Sequence, residues 1–191
     1  MTDISDSEIH EIVHRVVGEA LGSSRREPVS TAPASQPVTS GKKVVAIGAD
    51  HGGFELKEVL KPELKTLGFD INDVGTNSKE AVDYPDFAHA VAQAVSTGKA
   101  WRGIMIDGAG IGSCIVANKV PGVRAGTAYD YSSAVNSREH NDTNVLTLGA
   151  GLIGVNLAKQ IVKTWLTTEF AGGRHTPRLD KIKSVERKYL K

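Results

Sequence analysis

Cysteine is almost missing from this chain: Cys114 is alone among 191 residues. A single thiol excludes an intrachain disulfide and suits a reducing cytosol. No Cys/His cluster has the spacing of a zinc site and no acidic loop that of a calcium site, so no metal is expected. Excess charge of one sign is also missing. A formal net charge of +1 gives no general attraction to nucleic acid or to a membrane surface. No apolar run is long enough to span a bilayer. The N-terminus lacks a basic segment followed by an apolar one, so no secretory signal is expected. There is no internal repeat. What is present suits one globular domain with an appendage, long enough to bury a real core.

The appendage comes first. Over residues 1–22, Ile9, Ile12, Val13, Val16, Val17, Ala20 and Leu21 recur at three- and four-residue steps. That spacing predicts a short amphipathic helix with Ser5 or Asp6 at its start and Gly22 at its end. Residues 23–41 are small, polar and proline-bearing, with no periodicity, as in a flexible linker. A helix beyond such a linker has an apolar stripe in need of a partner. It either folds back within its own assembly or docks on another protein.

Residues 42–191 alternate strand and helix patterns. The strand candidates are Val44–Gly48, Asp70–Val74, Gly103–Ile106, Val123–Ala128 and Asn144–Leu148. Amphipathic stretches separate them at Phe54–Leu67, Tyr84–Thr97, Ile111–Lys119 and Tyr131–Glu139, and a longer one follows at Val155–Phe170. The charged C-terminal stretch Thr176–Lys191 is expected to be a surface helix or to pack on a partner subunit. Regular alternation predicts an α/β fold, a three-layer α/β/α sandwich around a mainly parallel five-stranded Rossmann-like sheet. Ligands of such sheets bind at the carboxyl ends of the strands, where the topology changes direction.

The polar clusters fall where that rule wants them. Gly103–Ile106 delivers Asp107 to a loop, Gly108-Ala109-Gly110-Ile111-Gly112, ahead of a helical pattern. Glycines allow close backbone approach, and N–H groups at a helix start hold anions. Asp107 is either a general base beside that loop or an acceptor for the loop's own amides. Asp50 and His51 follow the first strand; they suit a sugar hydroxyl and a phosphate, or a helix cap and a backbone carbonyl. Asp83-Tyr84-Pro85-Asp86 reads as a proline-initiated helix. Cys114 reads as a small core residue. His140 and Asn141 stand at a helix end. Arg174 and Arg178, after the Gly172–Gly173 pair, form either a phosphate clamp or a solvated basic turn. A base, an acid, hydroxyl binders and an anion clamp together suit aldose–ketose isomerisation of a sugar phosphate.

These motifs resemble the ribose-5-phosphate isomerase B family, which includes the galactose-6-phosphate isomerase subunits. The resemblance runs from about Lys43 to Glu186. It rests on Asp50-His51-Gly52-Gly53, Asp83-Tyr84-Pro85, the Gly108–Gly112 loop with Ala117-Asn118-Lys119, Glu139 through Leu146, and Gly172-Gly173-Arg174-His175 with Arg178. It implies a homodimer or dimer of dimers, with the active site at the dimer interface and without metal or organic cofactor. It implies that Asp50, His51 and Asn141 contact a phosphorylated sugar, that Gly108, Ala109, Gly110, Ile111 and Gly112 stabilise an enediolate, that His140 assists ring opening, and that Arg174 and Arg178 bind phosphate. The chain departs from the pattern at its centre. Many members carry a cysteine base where this chain has Asp107; another branch uses a glutamate six residues later, where this chain has Ser113. A common loop threonine or serine is Ala109.

The expected activity is therefore conversion of ribose 5-phosphate to ribulose 5-phosphate with Asp107 as base. The rivals are a six-carbon sugar-phosphate isomerase and a non-catalytic sugar-phosphate-binding or assembly protein. The appendage resembles the encapsulation peptides of bacterial microcompartment cargo enzymes. That likeness implies a shell protein as partner and a cytoplasmic location within a microcompartment lumen.

Overall fold

The computed structural model describes residues 41–190. The helix expected over residues 1–22, and all of the linker but Gly41, lie outside the described residues. Five strands are present: β1 (Val44–Ala49), β2 (Asp70–Asp73), β3 (Arg102–Asp107), β4 (Ala125–Thr127) and β5 (Val145–Gly149). The helices are α1 (Phe54–Thr66), α2 (Tyr84–Ser96), α3 (Ile111–Ala117), α4 (Tyr131–Glu139), α5 (Val155–Thr167) and α6 (Thr176–Tyr189), with a 3₁₀ turn at Gly173–His175. The sheet order is β2-β1-β3-β5-β4, and every pairing is parallel.

The three layers follow from burial on both faces of the sheet. β1, β3 and β5 are nearly continuous apolar runs, as central parallel strands must be. On one face Val45, Ile47, Ile104, Ile106, Leu146 and Leu148 pack with Leu56, Leu60 and Leu64 of α1, Ala134 of α4, and Ile161, Val162 and Trp165 of α5. On the other face Ala46, Met105 and Val145 meet Ala88, Val91 and Ala92 of α2 and Ala117 of α3. Each fully buried leucine or isoleucine adds roughly 1.5–3 kcal/mol to this core.

Several boundaries differ from the periodic pattern, each for a local reason. β4 is three residues rather than the expected six, because it is an edge strand paired only with β5. The Arg124 N–H just before it goes to Asn144 Oδ1 instead. α3 ends at Ala117, where the Asn118 side chain donates to Cys114 O and Ala125 O and accepts from the Ala125 N–H. α5 stops at Thr167 because Thr168 turns extended. Its last carbonyls are taken by two buried arginines: Arg102 donates to Trp165 O and Leu166 O, and Arg138 to Thr168 O. Burial pushes the Arg102 guanidinium down to about 10, and repulsion from Arg138 adds to it. The Trp101 ring covers it at 4.0 Å.

Candidate active site

The order of the sheet puts its switch point between β1 and β3, because β2 lies to one side of β1 and every later strand to the other. The chain leaves both strands there. Asp50 follows β1, and its N–H donates to Ile106 O at 3.3 Å. Asp107 is the last residue of β3. Gly52 and Gly53 let the two crossings touch. A Cβ on Gly53 would lie 2.2 Å from Ile106 O, so only glycine fits. Gly149, at the end of β5, does the same for the loop: a Cβ there would meet Ala109 O at 2.6 Å. Reading the sequence alone missed Gly149. Its signal is a glycine ending a central strand.

The loop is held from several sides. Asp107 O accepts from Ala150 N–H and Gly108 O from Gly151 N–H. Thr127 Oγ1 donates to Gly110 O, and Tyr129 Oη to Ala109 O. Gly110 takes φ +80°, a conformation that favours glycine. The loop carbonyls are thereby engaged, while the N–H groups of Gly108, Ile111 and Gly112 have no partner among the described residues. Free amides of this kind can donate to an anionic oxygen. Tyr84, read in the sequence only as part of the proline-initiated helix start and the Asp83-Tyr84-Pro85 motif, lays its ring on Gly112, where a Cβ would come within 2.6 Å of the ring.

Asp107 is 5% exposed and fully hydrogen-bonded. Oδ1 accepts from the N–H groups of Ala109, at 2.8 Å, and Gly110. Oδ2 accepts from Ser113 N–H at 3.2 Å and from the Ser113 hydroxyl. The carboxylate thus acts as acceptor for its own loop, one of the two roles that the sequence left open. Ser113 stands six residues on, as the third residue of α3, and is completely buried.

Asp50 is buried, and its Oδ1 accepts from Gly53 N–H at 3.0 Å. His51 is exposed; its Nδ1 lies 3.1 Å from Val82 O and 3.2 Å from Val82 N, which fixes the ring. The Cys114 thiol faces Ala125 O, on the β4 side of α3. Among the described residues no group of three or more His, Cys, Asp or Glu side chains converges as a metal ion requires.

The remaining predicted residues sit at the other edge of the sheet. His140 closes α4, and its ring stacks on His175 at 4.0 Å and 11°. Arg174 Nε donates to His175 Nε2 at 3.3 Å, and Ala171 N–H donates to Glu139 O. This cluster is tied to strand beginnings. Arg124, just before β4, donates to Asn141 O and pairs with Asp142. Arg138 bridges Asp142, Thr143 O and Thr168 O, and Arg102 at the start of β3 holds the end of α5. Asp142 is the one described non-glycine residue at positive φ, +46°, turned to face both arginines. In a parallel sheet all strand beginnings share one edge. A six-residue strand puts about 20 Å between the two edges. One copy therefore brings Asp50, His51 and the Asp107 loop together, and separately His140, Asn141 and Arg174 with Arg178 near them, but it does not join the two groups.

Residues 45–182 match the Ribose/Galactose Isomerase family. The chain is 44% identical to ribose-5-phosphate isomerase B of Escherichia coli over 146 residues, covering 76% of this chain and 98% of that protein. It is 43% identical to D-erythrulose-4-phosphate isomerase of Pectobacterium atrosepticum over 139 residues, covering 72% and 91%. The structure of ribose-5-phosphate isomerase B from Clostridium thermocellum superposes with a TM-score of 0.75 at 50% identity, covering 76% of this chain and 99% of that one. These similarities make the chain a sugar-phosphate isomerase of the aldose–ketose type. The chain belongs to the ribose/galactose isomerase family.

Proposed function

We propose that this protein interconverts ribose 5-phosphate and ribulose 5-phosphate in a site that two copies of the chain complete. The observation that carries this reading is the separation of the two residue groups at opposite edges of one sheet. The anion-binding loop of one copy needs the phosphate clamp and ring-opening histidine of another. Arg174 and Arg178 of the second copy hold the phosphate, and its Asn141 holds a hydroxyl. His140 gives a proton to the ring oxygen as its bond to C1 breaks, and the O1–H proton leaves to solvent as the C1 carbonyl forms. Asp50 and His51 hold the hydroxyls of the open chain.

The base then takes the C2 proton. The C2–H electrons form the C1–C2 double bond, and the carbonyl electrons move to O1, giving an enediolate. The free N–H groups of Gly108, Ile111 and Gly112 stabilise that charge. The same proton acceptor returns a proton to C1, the O2 proton moves to O1, and the C2 carbonyl forms.

Asp107 is that base, acting through Oδ2. Two backbone amides hold Oδ1 and cannot leave it without moving the loop. Oδ2 has the Ser113 hydroxyl as a partner, and a hydroxyl can rotate away to free a lone pair. The substrate name comes from the Escherichia coli relative, and the Pectobacterium relative makes a four-carbon phosphate the nearest competitor. A panel of ribose 5-phosphate, erythrose 4-phosphate and the allose and galactose 6-phosphates ranks them by kcat/KM. Binding of every sugar phosphate without interconversion overturns the activity.

Mixing tests the shared site. Asp107→Asn and His140→Ala chains are each expected to be nearly inactive. Co-refolded, half of the dimers carry one intact site of two, so about a quarter of the wild-type turnover returns. No recovery, with heterodimers present, overturns the cross-chain arrangement. Residues 1–22 we assign as a docking peptide for a microcompartment shell protein. Deleting them should disperse a punctate fluorescent fusion, and unchanged puncta refute the assignment.

A further inference from the structure

We propose that His175 is a positioning residue that sets both halves of the cationic cluster at once: Nε2 aims Arg174 and the ring face aims His140. The proposal rests on the roles assigned above to Arg174 and His140. His175 is 7% exposed, whereas Arg174 is exposed and His140 half-buried, so the buried ring is the fixed point of the three. Its backbone is fixed too: its N–H donates to Gly172 O, and Gly172 and Gly173 both take positive φ to make the turn.

The contact with Arg174 decides the chemistry of the ring. A guanidinium Nε carries a hydrogen and has no lone pair to accept one. The bond at 3.3 Å therefore requires a lone pair on His175 Nε2. His175 is neutral in this arrangement, with its one proton on Nδ1. Its surroundings favour that state. Desolvation lowers its affinity for a proton, and His140, Arg174 and Arg178 lower it further against a smaller opposite pull from Glu139.

Two consequences follow. Arg174 loses rotational freedom at Nε, so its terminal nitrogens are held ready for phosphate before the substrate arrives. His140 stacks on a neutral ring, with centroids 4.0 Å apart. The one lone pair of His175 is already spent on Arg174. His140 is therefore the member that exchanges a proton with the sugar.

Two substitutions separate these effects in the full chain. His175→Phe keeps the ring face and loses the acceptor. It should raise KM for ribose 5-phosphate about tenfold with kcat within about twofold, as removal of uniform binding does. His175→Gln keeps an amide oxygen for Arg174 and loses the ring; it should hold KM and lower kcat by about tenfold. Side-chain ¹⁵N NMR of the wild type reads the tautomer without any activity. A pyridine-like Nε2 and protonated Nδ1 on His175 at neutral pH are expected. An Nε2–H tautomer, or unchanged KM and kcat in both variants, overturns the proposal. If instead Arg174→Ala and His140→Ala leave turnover untouched while the Nδ1–H tautomer stands, the roles assigned to those two residues fail.

Discussion

Replacing Asp107 with asparagine separates the loop-holding role of its carboxylate from the role proposed for it as base. The asparagine oxygen can keep the Ala109 and Gly110 amides that Oδ1 holds now. Its NH₂ group then faces the Ser113 N–H, donor against donor, while the Ser113 hydroxyl can turn to accept. One buried amide loses its partner, which costs about 1–3 kcal/mol. For a domain of this size each kcal/mol lowers Tm by roughly 2–4 °C, so a fall of about 2–12 °C is expected with the fold retained. Loss of the base acts on a different scale, about 10²–10⁴ in kcat. Calorimetry gives the first number, and direct assay of ketose formation gives the second. Asp107→Asn with the predicted fall in Tm but kcat within twofold of wild type would refute the base and leave Asp107 a loop anchor. Ser113→Ala is the control. It removes the hydroxyl and keeps the carboxylate, so turnover should stay within about tenfold of wild type.

Arg138→Met breaks a part-buried ion pair with Asp142 and two carbonyl contacts at the end of α4; about 3 kcal/mol should be lost in urea denaturation. Gly149→Ala drives a Cβ into Ala109 O, and the displaced loop should lower kcat by roughly 10²-fold with circular dichroism unchanged. Stability should fall as pH drops below about 6.5, the usual histidine value, because the unfolded chain binds a proton that folded His175 resists. The sign follows from a lowered folded value: the penalty is absent above the unfolded value and grows towards the folded one. His175→Phe should flatten that slope in pH-dependent thermal unfolding, whereas an unchanged slope assigns it to another group.

The central strands were legible because both faces of β1, β3 and β5 are buried, which writes an apolar run into the chain. β4 was legible in place but not in length, because an edge strand of three residues carries little pattern to mark its ends. Asp50, Asp107, His140 and Arg174 stood out as chemistry next to glycine or helix ends, so the titratable residues of the candidate site were visible as types. The contacts of Gly149 with Ala109 and of Tyr84 with Gly112 were not, because each joins segments far apart in sequence.

By itself, then, the sequence determined the alternation of elements, the parallel sheet and the identity of the polar residues at the ends of strands and helices. Those are properties of local periodicity and spacing. Only the tertiary structure decided that Asp107 spends both oxygens on its own loop and Ser113, and that His140 and Arg174 stand across the sheet from it. The reason is geometric. A parallel strand sends the chain out at one edge and a helix brings it back to the other. Which edge a motif occupies, and which hydrogen bonds it finds there, is settled by that winding and not by its neighbours in sequence.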